Sequence, residues 1–413
     1  MESARMQSSV LPSRWGRIFL SFALGYYLSY LLRTVNAVIS PALTDELHLS
    51  AANLGLLTST YFLAFGLAQI PVGIALDRFG PRRVEALLLL ITAIGAAMFA
   101  LGDSMQLLGV GRALIGLGVS ACLMAALKGF ALWYPRDRQS SMTGFIMAAG
   151  ALGALTASTP LEAALPAIGW RGAFWLIAGV ALLASFTIFR NLPDVPMEGP
   201  RGTFGDALRV LGSIYASPAF LRQAASAATF IGGFMALQSL WAVPWLMNVN
   251  ALGLAQAAGM LVVLNLGSLV GQLSIGVLGV RLARAGIEPI SLLRFGYVCL
   301  IVMQLAILFK LGPLPAVWFL FGLFSAVNSQ SYLVASRAFP PELFGRVSTA
   351  LNLMAFAGAF VLQWGLGQAL DALRAQGFDM VRALQYSFAG LIALQVLGFL
   401  PLVVGSRGRD TPD

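Results

Sequence analysis

The chain has 413 residues, 58% hydrophobic and only 10% charged, with a mean hydropathy of +0.82. A soluble domain carries about 25% charged residues, so a water-covered fold is excluded. Disorder and a disulfide scaffold go with it, because 27 Phe and 8 Trp stand beside 2 Cys.

Apolar runs of about 20 residues cross roughly 30 Å of hydrocarbon as helices. Charge and Gly/Pro breaks predict twelve of them, at 15–39, 53–76, 84–102, 106–134, 140–163, 171–190, 220–247, 255–280, 290–310, 314–337, 346–370 and 383–405. The first 14 residues lack a separate short apolar stretch and cleavage site, so the first run is expected to stay. Cys122 and Cys299 both fall in runs, against a structural disulfide. The net charge of +9 and pI of about 10.1 suggest an acidic partner until the charges are placed. With a cytoplasmic N-terminus, most of the 26 basic residues fall on the inner face, while Arg171, Lys310, Arg374 and Arg382 mark the outer. Both termini are then cytoplasmic and the partner is the lipid bilayer of a cell membrane, plasma or bacterial inner. No nucleic acid is needed.

A repeat with an offset of about half the chain adds organisation. Gly73-Ile-Ala-Leu-Asp77-Arg78-Phe-Gly80 aligns with Gly279-Val-Arg-Leu-Ala283-Arg284-Ala-Gly286, Gly116 with Gly322, Pro135 with Pro341 and Thr143 with Thr349. The expected fold is therefore all-α: twelve transmembrane helices in two pseudo-symmetric six-helix bundles, 1–190 and 220–413, joined by a cytoplasmic linker at 191–219. Duplicated membrane halves are the usual plan of secondary transporters.

Gly73-x3-Asp77-Arg78-x-Gly80-x-Arg82-Arg83, between the second and third runs, resembles the signature loop of the major facilitator superfamily at every defining position. Arg112-x3-Gly116-x-Gly118 is similar to the second motif of that superfamily, and the loops at Pro135, Pro341 and Gly169-Trp170-Arg171 fit as well. The likeness implies the superfamily fold, no enzymatic activity, no cofactor and a monomer. It implies that Gly73, Asp77, Arg78, Gly80, Arg82 and Arg83 form a cytoplasmic gate. By charge alone, Asp77 can face a helix N-terminus, and the arginines can bridge Asp137, Glu342 or lipid phosphates. The second copy is degraded: Ala283 and Glu288 stand where Asp77 and Arg82 do.

Candidate binding residues lie inside the runs. On the first, Tyr26, Ser29, Tyr30, Arg33 and Asn36 share one face at 100° per residue, with Arg33 either lining a cavity or snorkelling outward. On the seventh, Gln238, Trp241, Trp245 and Asn248 repeat that spacing. Asn265, Ser268 and Gln272 share a face of the eighth. Ser325, Asn328, Ser329, Tyr332 and Ser336 share one of the tenth, and Asn352 and Gln363 belong to the eleventh. Each amide either lines a cavity or bonds between helices. Arg112 is expected inside, while Lys128 either lines the cytoplasmic half or packs on a neighbour. The acids read as peripheral: Glu85 at an end, Asp103 in an outer loop, Glu162 near an outer end.

Three buried bases without a deep acid favour a small organic anion, most simply a carboxylate, moved by alternating access. A proton is one candidate coupling ion, through Glu162 or Arg112 with water; exchange needs none. The alternatives are drug or metabolite efflux by proton antiport and a non-transporting sensor or scaffold. Catalytic and metal-ligating sets are not expected, since the one His, His48, excludes a zinc motif and a Ser-His pair.

Overall fold

The structure, a computed structural model, describes residues 12–194 and 204–404, and the regular elements among them are all helical. They are α1 (Pro12–Leu47), α2 (Ala51–Leu101), α3 (Met105–Trp133), α4 (Arg136–Thr156), α5 (Thr159–Asn191), α6 (Phe204–Tyr215), α7 (Pro218–Asn248), α8 (Leu254–Arg284), α9 (Pro289–Leu308), α10 (Leu314–Ser336), α11 (Phe344–Ala375) and α12 (Met380–Val404). Among the described residues, ten helices are long and apolar enough to cross a membrane. The expected positions of both chain ends, and residues 195–203 of the expected linker, lie outside the described residues.

The second and third runs lie in α2 as two helices in succession, at about 1.5 Å per residue each long enough for one crossing. Helix α2 kinks at Gly80 (φ 76°), just before Pro81, which has no N–H to continue the ladder. One boundary differs from those the sequence suggests. The fifth run breaks at Ala157 and Ser158, so Glu162 sits in the first turn of α5. The 21-residue α4 is not among the ten apolar helices.

The chain divides into two compact units, residues 1–47 with 60–207 and residues 48–59 with 208–413. In the first, α1 packs on α4, α5 and the second half of α3. Phe22 of α1 meets the rings of Phe130 and Trp133 there. In the second, α8 packs on α10, and α11 on α7 and α12. The first turns of α2 join this unit: Ala51 and Ala52 donate their amides to the Asp371 carboxylate of α11 at 3.1 and 2.8 Å. That carboxylate caps the positive end of α2. Tyr215, at the end of α6, donates to the Ala350 carbonyl at 2.9 Å, and burial pushes its phenol up to about 12.

The repeat is visible in the backbone. Gly80 and Gly286 both hold positive φ, 76° and 74°. Gly116 lets α3 close on α2, where a Cβ would stand 2.3 Å from the Tyr61 carbonyl oxygen; Gly322 lets α10 close on α8, with 2.1 Å to that of Leu264.

Candidate functional site

In the first unit, α1 carries the polar face that the sequence suggests. Tyr26 is buried, its ring 5.1 Å edge-on from that of Tyr30, and its hydroxyl points at the Met147 sulfur at 3.5 Å. The half-buried Arg33 lays its guanidinium over the Tyr30 ring at 4.6 Å and near Phe65 at 5.7 Å. Its aromatic surroundings suit a planar cation, which stacks on π faces, and its side chain also hydrogen-bonds that of Tyr61. One turn further on, Asn36 is 1% exposed, and neither polar atom of its side chain has a partner. Tyr61 of α2 closes this face by donating to the Ser29 carbonyl at 3.2 Å.

Arg112 lies inside, 1% exposed. Two of its N–H groups donate to the Leu32 carbonyl at 3.3 Å, and its guanidinium lies 5.3 Å from the Tyr61 ring. A carbonyl in mid-helix has a spare lone pair, so Arg112 ties α3 to α1 one residue before Arg33. Lys128 is elsewhere: its amine meets Asp77 at 2.5 Å.

The signature loop is held within the first unit. Arg82 donates to the Phe189 carbonyl at 2.9 Å and, with Arg83, reaches Asp194 at 3.7 and 2.7 Å. The exposed Arg78 rests on the Phe79 ring. Asp194 was not among the acids that the sequence offered, because a carboxylate just past a helix end in a Pro-rich stretch carries no positional signal. A second cluster lies where α1 ends. Arg171 pairs with Glu46 and, at 2.7 Å, with Asp103, while Trp170 donates to Glu46 at 2.6 Å.

The α7 residues part company. Gln238 and Trp241 sit in a π-helical turn, Leu237–Trp241, whose extra residue per turn undoes the 100° spacing. Gln238 donates to Asn265 of α8 at 2.6 Å, whereas Trp241 donates to the Gln363 carbonyl of α11 at 3.0 Å. Trp245 faces Phe388 of α12, with ring centroids 4.9 Å apart, in an apolar pocket shared with Trp318. Asn248 bonds back to Pro244 at the helix end. On α10, a 3-10 turn at Ala326–Ser329 carries Asn328, and Tyr332 donates to Asn352 of α11 at 2.9 Å. Gln272 is exposed. Gln363 is fully buried and bonds Thr58 and Ser239.

Glu85 corrects the sequence reading most sharply. Although near a helix start, it is 0% exposed, and its carboxyl points at Gly25 of α1. The missing side chain of Gly25 makes the room, a signal only contact geometry reveals.

The family model described as Major Facilitator Superfamily matches residues 22–362. The chain is 27% identical over 173 residues to the "Probable L-galactonate transporter" of Escherichia coli K12, covering 41% of this chain and 38% of that one. It is 30% identical over 166 residues to the "Hexuronate transporter" of the same organism, 40% of this chain and 38% of that one. These matches span about two fifths of the relatives' length. Among solved structures, a bacterial homolog of the human lysosomal transporter Spinster superposes with a TM-score of 0.76 at 19% identity, covering 98% of this chain and 100% of that one. That likeness is one of fold.

Proposed function

The chain belongs to the Major Facilitator Superfamily, and we propose that it is a secondary transporter, not an enzyme, moving a small organic anion across a cell membrane by alternating access. In this reading the chain crosses twelve times, α2 supplying two crossings and α4 one, with two six-helix halves about a linker at 191–219. The substrate is a carboxylate of sugar-acid size.

The observation that carries the reading is Arg33, an ionisable side chain in the middle of an apolar helix and set against Tyr30. Such residues are costly in a membrane and functional by default. A guanidinium takes a carboxylate through two parallel N–H bonds. Tyr26, Tyr30 and Asn36 supply aromatic wall and hydrogen bonds beside it, and Arg112 steadies α1 at Leu32. The relatives' names, a galactonate and a hexuronate transporter, agree with an anionic sugar acid. Gln238, Asn265, Trp241, Asn328, Tyr332 and Asn352 are the candidates from the second unit.

The test is counterflow of labelled galacturonate, a hexuronate, in proteoliposomes. Wild type exchanges galacturonate and not neutral galactose, and Arg33→Gln abolishes the exchange. Unchanged exchange in Arg33→Gln ends the anion reading. One observation favours a second reading, proton-driven efflux of a cation: Glu85 is a buried acid. Thermal stabilisation by cationic drugs and not by galacturonate would select it, through binding linkage.

A further inference from the structure

We propose that Glu85 is the proton-carrying group of the transport cycle. The inference rests on the transport reading above and adds to it the coupling ion and its site.

Among the described residues Glu85 is the buried acid: its side chain is 0% exposed, and neither carboxyl oxygen has a hydrogen-bond partner. Its place is deep. A Cβ built on Gly25 of α1 would stand 2.7 Å from the Glu85 Oε1 and 3.7 Å from the Cys122 sulfur of α3. Gly25 follows Trp15, and Cys122 precedes Tyr134, by about 15 to 18 Å of helix rise each. The other charges on its own helix are engaged elsewhere: Arg82 and Arg83 by Asp194 and the Phe189 carbonyl, Asp77 by Lys128, and Arg78 lies over the Phe79 ring. The titratable group facing it from α3 is the Cys122 thiol, and α1 presents Gly25 and Leu89 lies alongside. From α5, Ser185 approaches but gives its hydroxyl to the Ala86 carbonyl at 2.7 Å.

A structural buried acid is held by donors or a cation. Glu85 has neither, so the packing seen here accommodates the neutral acid, and its ionised form requires water or a donor to reach it. That requirement is what a coupling site needs: the carboxylate binds one proton from water on one side, forming the O–H of the acid, and releases it to water on the other after α1 has moved. Gly25 is adjacent to Tyr26 and two turns before Arg33, so a shift of α1 that admits or releases the anion also uncovers Glu85. A metal or sodium ion is a poor occupant, because such cations take several oxygen ligands. Among the described residues no group of three or more His, Cys, Asp or Glu gathers.

The test compares wild type, Glu85→Gln and Glu85→Asp in proteoliposomes, with two readouts for galacturonate. Accumulation driven by an imposed pH gradient reports coupling, and counterflow at equal pH reports exchange that moves no net proton. Glu85→Gln is expected to keep counterflow and to lose gradient-driven accumulation, with partial recovery in Glu85→Asp. Accumulation equal to wild type in Glu85→Gln overturns the assignment, as does loss of counterflow with accumulation, which marks a structural role. Failure of wild-type counterflow defeats the substrate reading instead. In that case a second readout still judges Glu85: infrared spectra of the purified protein at neutral pH should show a carboxylic-acid C=O band that Glu85→Gln removes. Its absence from the wild type overturns the proposal whatever the substrate.

Discussion

The Lys128 amine lies 2.5 Å from the Asp77 carboxylate, so a lysine inside a predicted crossing and the acid of the signature loop are partners. The lysine side chain is 22% exposed and the aspartate 79%. At such exposure an ion pair stabilises the fold by about 0 to 1 kcal/mol, which points to a conformational role for the contact. Lys128→Met and Asp77→Asn should each move the melting temperature little. If the pair matters to transport, the charge swap Asp77→Lys with Lys128→Asp restores galacturonate counterflow that each single reversal loses. If Lys128 instead meets the substrate, the swap restores nothing.

The face of α1 was legible because α1 is regular where it matters. At 3.6 residues per turn Tyr26, Tyr30 and Arg33 fall together, and the structure stacks them. The same arithmetic fails on α7, where the π-helical turn sends Gln238 to Asn265 and Trp241 to Gln363. No residue pattern in that stretch announces the extra residue per turn. Glu85 escaped for a different reason. Proximity in sequence to Arg82 and Arg83 suggests an interfacial acid, and only the bare Cα of Gly25 on another helix reveals its burial. Asp77 and its arginines were recognisable as a motif, yet their partners Lys128 and Asp194 follow from the packing of three helices.

Arg33→Lys discriminates charge from geometry. Lysine keeps the positive charge but not the planar fork that grips a carboxylate or the face that stacks on Tyr30. Losing one charge-assisted bond costs about 1.5–3 kcal/mol, so the galacturonate KM should rise by about ten- to a hundredfold. Arg33→Gln, which removes the charge as well, should leave no exchange from which a KM can be read. Equal KM values in wild type and Arg33→Lys would mean that Arg33 acts only through its charge.

Gly116 and Gly322 should be intolerant, and Gly73 tolerant. An added Cβ meets backbone oxygen at 2.3 Å for Gly116 and 2.1 Å for Gly322, and backbone cannot swing aside. Overpacking of this kind typically costs about 1–3 kcal/mol, so both alanine variants should melt lower in detergent. Nothing lies within 4 Å of the corresponding point on Gly73. Gly73→Ala should therefore melt as wild type, and any loss of its transport would report a different arrangement of the signature loop.

Tyr215 gives an alkaline signature. Partial burial pushes its phenol up to about 12, against about 10 for a free tyrosine. A raised value means that the neutral form is favoured in the fold, so its contribution is fully present below pH 10 and lost as pH rises through 12. Tyr215→Phe removes the bond to Ala350 and should flatten that part of the stability profile. An unchanged profile in the variant would assign the alkaline loss to other groups.

Gln363 joins three elements of the second unit and should behave as a unit with its partners. Its amide donates to Thr58, its side-chain oxygen accepts from Ser239 at 2.8 Å, and its carbonyl accepts the Trp241 N–H at 3.0 Å. Gln363→Leu keeps the volume but strands the Ser239 hydroxyl in a buried site, a loss of about 1–3 kcal/mol. Ser239→Ala strands one lone pair of an amide that still holds Thr58, and should cost less. In the double variant the stranded hydroxyl is gone, so its destabilisation should fall below the sum of the singles, as for groups in one network. Additive values in chemical denaturation would mean that Ser239 and Gln363 do not share an interaction. Trp241 provides the control: its bond runs to the backbone, so neither substitution should shift the environment that its fluorescence reports.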